Sequence, residues 1–304
     1  MIFYAPAYYK NFTCTADKCT HSCCIGWEID IDKDTLSTYR LMEEDYGEVI
    51  RNSIDTSGET PCFRLGEGDR CPHLNGLGLC NIISNVGETF LCNICREHPR
   101  FYNDTPYGKE VGLGLACEEA CRIVLSSPNY ADMVELGEVE GDITPLAFDA
   151  LPHRQKTYAI LQDGTLSYRQ KLHTLTMSFD ISPICEDDNL WRDILANLEY
   201  LNEAHSPLFQ AYAYGTTPPS NLEQPLLSAL AYFIYRHGTS AYDLEDFRTS
   251  VGFGLFCVHL ITSVMASQGV QDFDGLCEIA RIVSEELEYC VENTEAIQTE
   301  FLFS

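Results

Sequence analysis

Apolar residues recur at three- and four-residue spacing through most of the second half of the chain, but along only short stretches of the first. Asp32 and Asp34 precede Leu36, Tyr39, Met42 and Tyr46, which predicts a helix from about 34 to about 52. Glu88 to His98 predicts a short helix ended by Pro99, with Cys92 and Cys95 on one face at i, i+3. RFYNDTPYGKEVGLGL reads as a hairpin turning at Asp104 to Gly108, and EEACRIVL as the start of another helix. Helices are then expected at about 153–163, 165–177, 187–204, 225–237, 243–268 and 272–291, with a Pro-rich loop at 205–225. Thr249 to Gln271 holds no charged residue and would reach across a bilayer. Gly252, Gly254, His259, Thr262, Ser263 and Gln268 dilute it, so a buried core helix is expected.

Two stretches lack any period. Residues 1–31 read as a Cys-bearing loop, and 62–82 as glycine-punctuated turns presenting Cys62, Cys71 and Cys80. Between Arg122 and Arg154 there is no basic residue, and Pro128, Gly137, Gly141, Pro145 and Pro152 suggest a junction. The expected fold is therefore mainly α. It has a Cys-rich α+β N-terminal region, 1–126, of metal-stapled loops and a short hairpin, followed by a helical domain, 127–304.

Charge narrows the partners. With 19 basic and 46 acidic residues the net charge is -27, which argues against nucleic acid and against an anionic membrane, and leaves a basic or lysine-presenting protein partner open. MIFYAPAYYKNF lacks the basic and apolar regions of a secretory signal, and fifteen cysteines cannot all pair within the chain. Both points favour a reducing cytoplasm, where clustered cysteines bind metal or do redox work.

The cysteines carry the chemistry. Phe12 to Trp27 places Cys14, Cys19, Cys23 and Cys24 in C-x4-C-x3-C-C spacing, and Cys62, Cys71, Cys80, Cys92, Cys95, Cys117 and Cys121 follow. Thiolates grouped on short loops suit a transition metal or an iron–sulfur cluster. Eleven exceed the needs of one four-ligand site. His21, His73 and His98 lie among them as reserve ligands, whereas the scattered Cys185, Cys257, Cys277 and Cys290 read as core thiols. The weakly patterned loops are expected to need metal in order to fold. Neither C-x3-C-x2-C nor G-x-G-x-x-G occurs, so neither a radical cluster spacing nor a Rossmann fingerprint marks a cofactor site.

FTCTADKCTHSCCIGWEIDID, CPHLNGLGLC, FLCNICREHPRFYN and LGLACEEACRIVL together resemble the flagellin lysine-N-methylase family, within a wider eight-cysteine group of zinc- or iron-chelating proteins. The resemblance covers about the first 126 residues. It implies metal ligation by Cys14, Cys19, Cys23, Cys24, Cys71, Cys80, Cys92 and Cys117, with Cys62, Cys95 and Cys121 as extras. It also implies an iron–sulfur cluster, of 4Fe-4S type, and methyl transfer from S-adenosylmethionine to lysine side chains of flagellin. The competing expectation is a zinc-stapled protein-interaction module without enzymatic activity. No residue is singled out as catalytic, although a lysine amine with a pKa near 10.4 must lose its proton before it can accept a methyl group.

Overall fold

The computed structural model describes residues 1–303 other than 44, 139, 140, 142, 144 and 145. In chain order it contains β1 (Ile2–Pro6), α1 (Lys33–Leu41), α2 (Asp45–Asn52), β2 (Ile54–Asp55), β3 (Cys62–Phe63), α3 (Asn81–Val86), α4 (Asn93–Glu97), β4 (Arg100–Thr105), β5 (Gly108–Leu113), α5 (Glu118–Ser126) and β6 (Met133–Glu138). The remaining elements are α6 (Leu151–Gln162), α7 (Tyr168–Ser178), α8 (Asp188–Ala196), α9 (Ser206–Phe209), α10 (Glu223–Gly238), α11 (Leu244–Gln268), α12 (Phe273–Glu288) and α13 (Val291–Leu302). The fold is mainly α with a small mixed sheet, as the periodicities suggest.

Two compact units result: Thr13–Pro99, and Met1–Phe12 together with Arg100–Ser304. The first is an insert in the second. The expected boundary at 126/127 is thus replaced by two boundaries, at 12/13 and 99/100. The cause is strand pairing. The first residues are not loop but β1, which lies between β5 (parallel) and β6 (antiparallel) in a sheet of order β4-β5-β1-β6. A five-residue strand paired on both sides gives a sequence window too short for a period to appear. The acid-rich stretch expected to be a junction supplies the other edge strand, β6. Gly108, at the hairpin turn, faces Ile2 across the sheet. A Cβ there would lie 2.2 Å from the Ile2 carbonyl oxygen, so the close approach of β1 requires glycine.

The core of the main unit centres on α10 and α11. Leu226, Leu230 and Phe233 meet Phe253, Phe256 and Leu260, all fully buried. Trp191 of α8 packs on Phe256, ring centroids 4.2 Å apart, and Phe301 of α13 stacks behind it. Helix α11 is long and apolar enough to cross a membrane, yet 89% of its most apolar window is buried within the protein. Asp243 caps its first turn by accepting from the Asp246 N–H at 2.8 Å.

Helix α8 stops at Ala196 rather than running to 204. The following backbone donors leave the helical pattern: Glu199 N–H donates to Asn293 Oδ1, and Leu201 and Asn202 N–H donate to the Glu286 carboxylate. Helix α13 lies beyond the expected elements.

Glu288 is a buried carboxylate in this unit. It accepts from Tyr232 Oη at 2.9 Å and Ser284 Oγ at 2.5 Å, and it pairs with His237 Nε2 at 2.8 Å and Arg236 Nε at 3.3 Å. Burial alone would raise its pKa, but Arg236, His237 and the hydroxyl donors outweigh burial and hold it below the ordinary carboxylate value. A depressed folded pKa contributes stability that is present above the unfolded pKa and is lost as pH falls through the folded one. Melting temperatures between pH 7 and pH 3 should therefore fall more steeply for wild type than for Glu288→Gln, which should itself melt lower at pH 7. Parallel curves would remove Glu288 from the acid response.

Candidate metal centre

The insert folds around a small core of its own: Ile29, Ile31, Leu36, Tyr39, Ile50, Phe63, Leu74, Ile82 and Leu91, with Cys71 and Cys92 buried among them. The helix expected at 34–52 is broken into α1 and α2. Met42 turns out of the helix with extended backbone, and Arg51 Nη1 donates to the carbonyls of Tyr39 (3.1 Å) and Met42 (2.8 Å), which α1 leaves open at its end.

Three segments of the insert carry the thiols discussed below. Backbone pairing ties the first cysteine loop to the one that bears Cys71: Cys71 N–H donates to the Cys24 carbonyl at 2.8 Å and Gly26 N–H to the Asp69 carbonyl at 3.0 Å. The CPHLNGLGLC loop is closed on Asn75. Its Oδ1 accepts from Leu77 and Leu79 N–H, its own N–H donates to the Leu79 carbonyl, and a bridge joins Leu74 to Cys80. This closure carries Cys80 back toward Cys71. A Cβ on Gly78 would sit 3.4 Å from the Asp17 Cα, so the Ala16–Lys18 turn, between Cys14 and Cys19, packs on the same loop.

Asp32 caps α1 by accepting from Thr35 N–H at 3.0 Å, and its other oxygen accepts from Asn93 N–H at 2.9 Å. That bond sets the start of α4 beside α1, with Cys92 at its N-cap. Cys92 and Cys95 Sγ lie 3.4 Å apart.

The electrostatics identify which thiols are neighbours. Cys24 is lowered to about 7, first by its hydrogen bond with Cys23, then by Ser22 and the charge of Arg70, against burial. Cys71 is raised to about 11 by burial and by the charges of Cys24 and Cys80. Cys80 is raised by burial, with Cys24 and Cys92 adding to it. Cys92 is lowered by its hydrogen bond with Cys95, whereas Cys95 is raised by that bond, by burial and by the charges of Cys92, Cys24 and Cys71. The charges of Cys24, Cys71, Cys80 and Cys92 thus bear on other thiols of this set, and Cys92 and Cys95 are the two of the five whose sulfurs are shown in contact. Deprotonating one makes the next harder, a cost that a bound cation removes.

The other residues singled out in the sequence divide as follows. Cys14 and Cys23 are exposed, and Cys19 shares a 2.9 Å hydrogen bond with Thr15. Cys117 belongs to the main unit, at the N-cap of α5, and Cys121 is buried there. Cys62 faces Glu28, Asp30 and Asp55, which with burial raise its pKa, and it takes no part in this set. Cys95, read as an extra, has its sulfur in contact with that of Cys92. Its i, i+3 relation to Cys92 was the visible signal.

His73 is not available as a ligand. Its Nδ1 pairs with Tyr46 Oη at 3.0 Å and its Nε2 with Ser53 Oγ at 2.9 Å, and burial lowers its pKa to about 4. The sequence reading also missed Tyr39, whose hydroxyl donates to the Phe90 carbonyl at 2.7 Å and whose pKa is raised by burial and by the charges of Cys92, Cys95 and Cys80.

A separate group of ligating side chains lies in the main unit. His205, Glu285 and Glu286 have ligand atoms within 4.8 Å of one another. Glu286 is occupied by the 201–205 loop and Glu285 by Arg281 at 2.8 Å, so this group ties the loop to α12.

No family model and no solved structure matches the chain. Over 166 residues it is 29% identical to a protein of Salmonella muenchen named Flagellar biosynthetic protein FliU, covering 51% of this chain and 94% of that one. Over 141 residues it is 30% identical to proteins named Lysine-N-methylase from Salmonella choleraesuis and Salmonella typhimurium, covering 43% of this chain and 34% of each of those. The matched stretch thus spans about a third of the length of these two relatives. The chain is a distant relative of lysine-N-methylases, the relationship to which its cysteine motifs point.

Proposed function

We propose that this chain takes part in methylating lysine side chains of a flagellar protein, flagellin, and that its insert holds an iron–sulfur cluster. The observation that supports the metal reading is the placing of Cys24, Cys71 and Cys80 by the Cys71–Cys24 backbone bond and the Leu74–Cys80 bridge, in one unit with the Cys92–Cys95 pair at 3.4 Å. Soft donors carried on three segments fit a thiophilic metal. A cluster bound there would supply redox or radical chemistry, or a structural staple. The chain's own residues hold the thiols in register through Asn75, Asp32 and the Cys24–Cys71 backbone pairing.

The methyl-transfer reading rests on the names of the relatives. S-adenosylmethionine is the donor proposed. It would supply its sulfonium methyl to a neutral lysine amine and be left as the thioether, the proton being lost from nitrogen. An acidic chain of net charge -27 suits a lysine-presenting partner, and a reducing bacterial cytoplasm suits fifteen free thiols.

Anaerobic purification tests the metal: a brown protein with iron and sulfide is expected. A colourless chain loaded with zinc would favour the interaction-module reading. Incubation with flagellin and S-adenosylmethionine should add mass in steps of one methyl group on lysines. Unmodified flagellin with a cluster-replete chain would overturn the enzymatic reading.

A further inference from the structure

The sheet of the main unit has two edges, and they are finished differently. At the β4 edge the Asp104 carbonyl accepts from Ser240 Oγ at 3.3 Å, and Asn103 Nδ2 donates to the Tyr235 carbonyl at 3.1 Å. Helix α10 and the residues after it thus lie along that strand. The β6 edge has no such neighbour among the described residues.

The register says which backbone groups of β6 face outward. Ala7 N–H donates to the Asp132 carbonyl at 2.7 Å, Ala5 lies opposite Val134, and Pro6 lies opposite Met133. Bonding to one neighbour alternates along an antiparallel strand. Asp132 and Val134 therefore turn toward β1, while Met133 and Glu135 turn their N–H and C=O away from it. Pro6, which has no N–H to give, sits opposite a residue that needs none from it. Among the described residues, no backbone hydrogen bond reaches the outward groups of Met133 and Glu135. A row of unmet donors and acceptors is a template for one more strand.

Charge selects the occupant. Asp132, Glu135 and Glu138 are exposed along this strand, with Leu136 38% exposed between the two glutamates. No basic residue occurs between Arg122 and Arg154, against six acids. Carboxylates set opposite carboxylates repel across a strand pair, which disfavours a second copy of β6. Lysines set opposite them attract.

We propose that the β6 edge receives an extended, lysine-bearing segment of a partner protein as an added strand. The proposal rests on the reading of a lysine-presenting partner and names the surface that receives it. Main-chain bonds to Met133 and Glu135 hold the segment, its lysines pair with Glu135 and Glu138, and an apolar residue between them meets Leu136.

The test uses the full chain and fluorescent peptides of about eight residues, long enough to span the strand. A peptide of alternating lysine and valine should bind by fluorescence anisotropy and should slow hydrogen exchange at residues 132–138. Its glutamate–valine counterpart, and a lysine–valine peptide N-methylated throughout, should each bind weaker by about tenfold or more. In Glu135→Lys/Glu138→Lys the preference should reverse, the glutamate–valine peptide binding the tighter. Equal binding of the N-methylated peptide overturns the proposal, because charge alone then suffices. Slowed exchange elsewhere with none at 132–138 overturns it as well. A peptide copying Met133–Glu138 that binds as tightly as the lysine–valine one makes this edge an interface between copies and also overturns it. A wild-type chain that methylates flagellin while the lysine–valine peptide leaves β6 unaltered overturns the edge alone. One that binds the peptide at β6 and leaves flagellin unmodified overturns the enzymatic reading and keeps the edge.

Discussion

Cys80→Ser and Cys71→Ser each strip the insert of most of its metal and open residues 13–99 to protease, while the helical signal of the main unit stays. The expectation follows from the size of the insert's own core. Eleven buried apolar side chains and two buried thiols must hold together loops rich in glycine and proline. Apolar burial on that scale does little more than offset chain ordering. Thiolate–metal bonding of a structural site is worth roughly 10 kcal/mol at neutral pH, which is enough to decide whether such a unit is folded. Cys62→Ser, at a thiol set among acids on β3, should keep full metal content. The measurements are metal per chain, limited proteolysis and far-UV circular dichroism. Full metal and an unaltered digest in both the Cys71 and Cys80 variants would mean that these thiols do not staple the insert.

Arg154→Met should lower the melting temperature of the main unit by about 10 °C or more, and Glu110→Leu by a similar amount. Arg154 and Glu110 are each 2% exposed. They form a bidentate pair, Nη1 to Oε2 at 2.6 Å and Nη2 to Oε1 at 2.8 Å, and Arg154 Nη1 also donates to Thr239 Oγ1 at 2.7 Å. The pair joins β5, α6 and the end of α10. Removing one partner strands a charge in the core, at a cost of about 3–5 kcal/mol, whereas replacing both with apolar residues removes the stranded charge. The double variant Arg154→Met/Glu110→Leu should therefore recover most of the loss. If the losses of the single variants simply add in the double, the charges are not coupled as the geometry indicates.

What the sequence could reveal depended on how local each signal was. Helices α10, α11 and α12 were legible because a three-to-four-residue period persists over sixteen residues or more. The β4–β5 hairpin was legible because its turn, Thr105 to Gly108, is contiguous. Strand β1 was not, since its partners lie about a hundred residues away. The break after α1 depends on Arg51 reaching back to two carbonyls, a tertiary event with no periodic trace.

The candidate centre was legible as a set of cysteines but not as a site. Spacing grouped Cys92 with Cys95, and the family resemblance named Cys24, Cys71, Cys80 and Cys92 among eight ligands while leaving Cys95 out. Neither could tell that the Cys95 sulfur lies 3.4 Å from that of Cys92 or that Cys62 is turned toward acids. His73 illustrates the limit from the opposite side. Its neighbours in sequence suggest a ligand, but Tyr46 and Ser53 occupy both ring nitrogens.

The main unit is sewn shut where the chain leaves and re-enters it. Arg100 Nε donates to Tyr9 Oη at 2.8 Å, and its guanidinium lies over the Phe12 ring at 5.6 Å. The parallel β1–β5 pair therefore has the whole insert in its crossover, about 90 residues. If that crossover is a floppy loop, the length-dependent part of bringing its ends together costs about 4 kcal/mol; if it is already folded, little of that cost remains. During synthesis β1 emerges about a hundred residues before β5 and waits unpaired. The state of the thiol-bearing segment when Arg100 arrives then sets how fast the sheet can close, so folding of the insert acts on the assembly rate of a unit outside it.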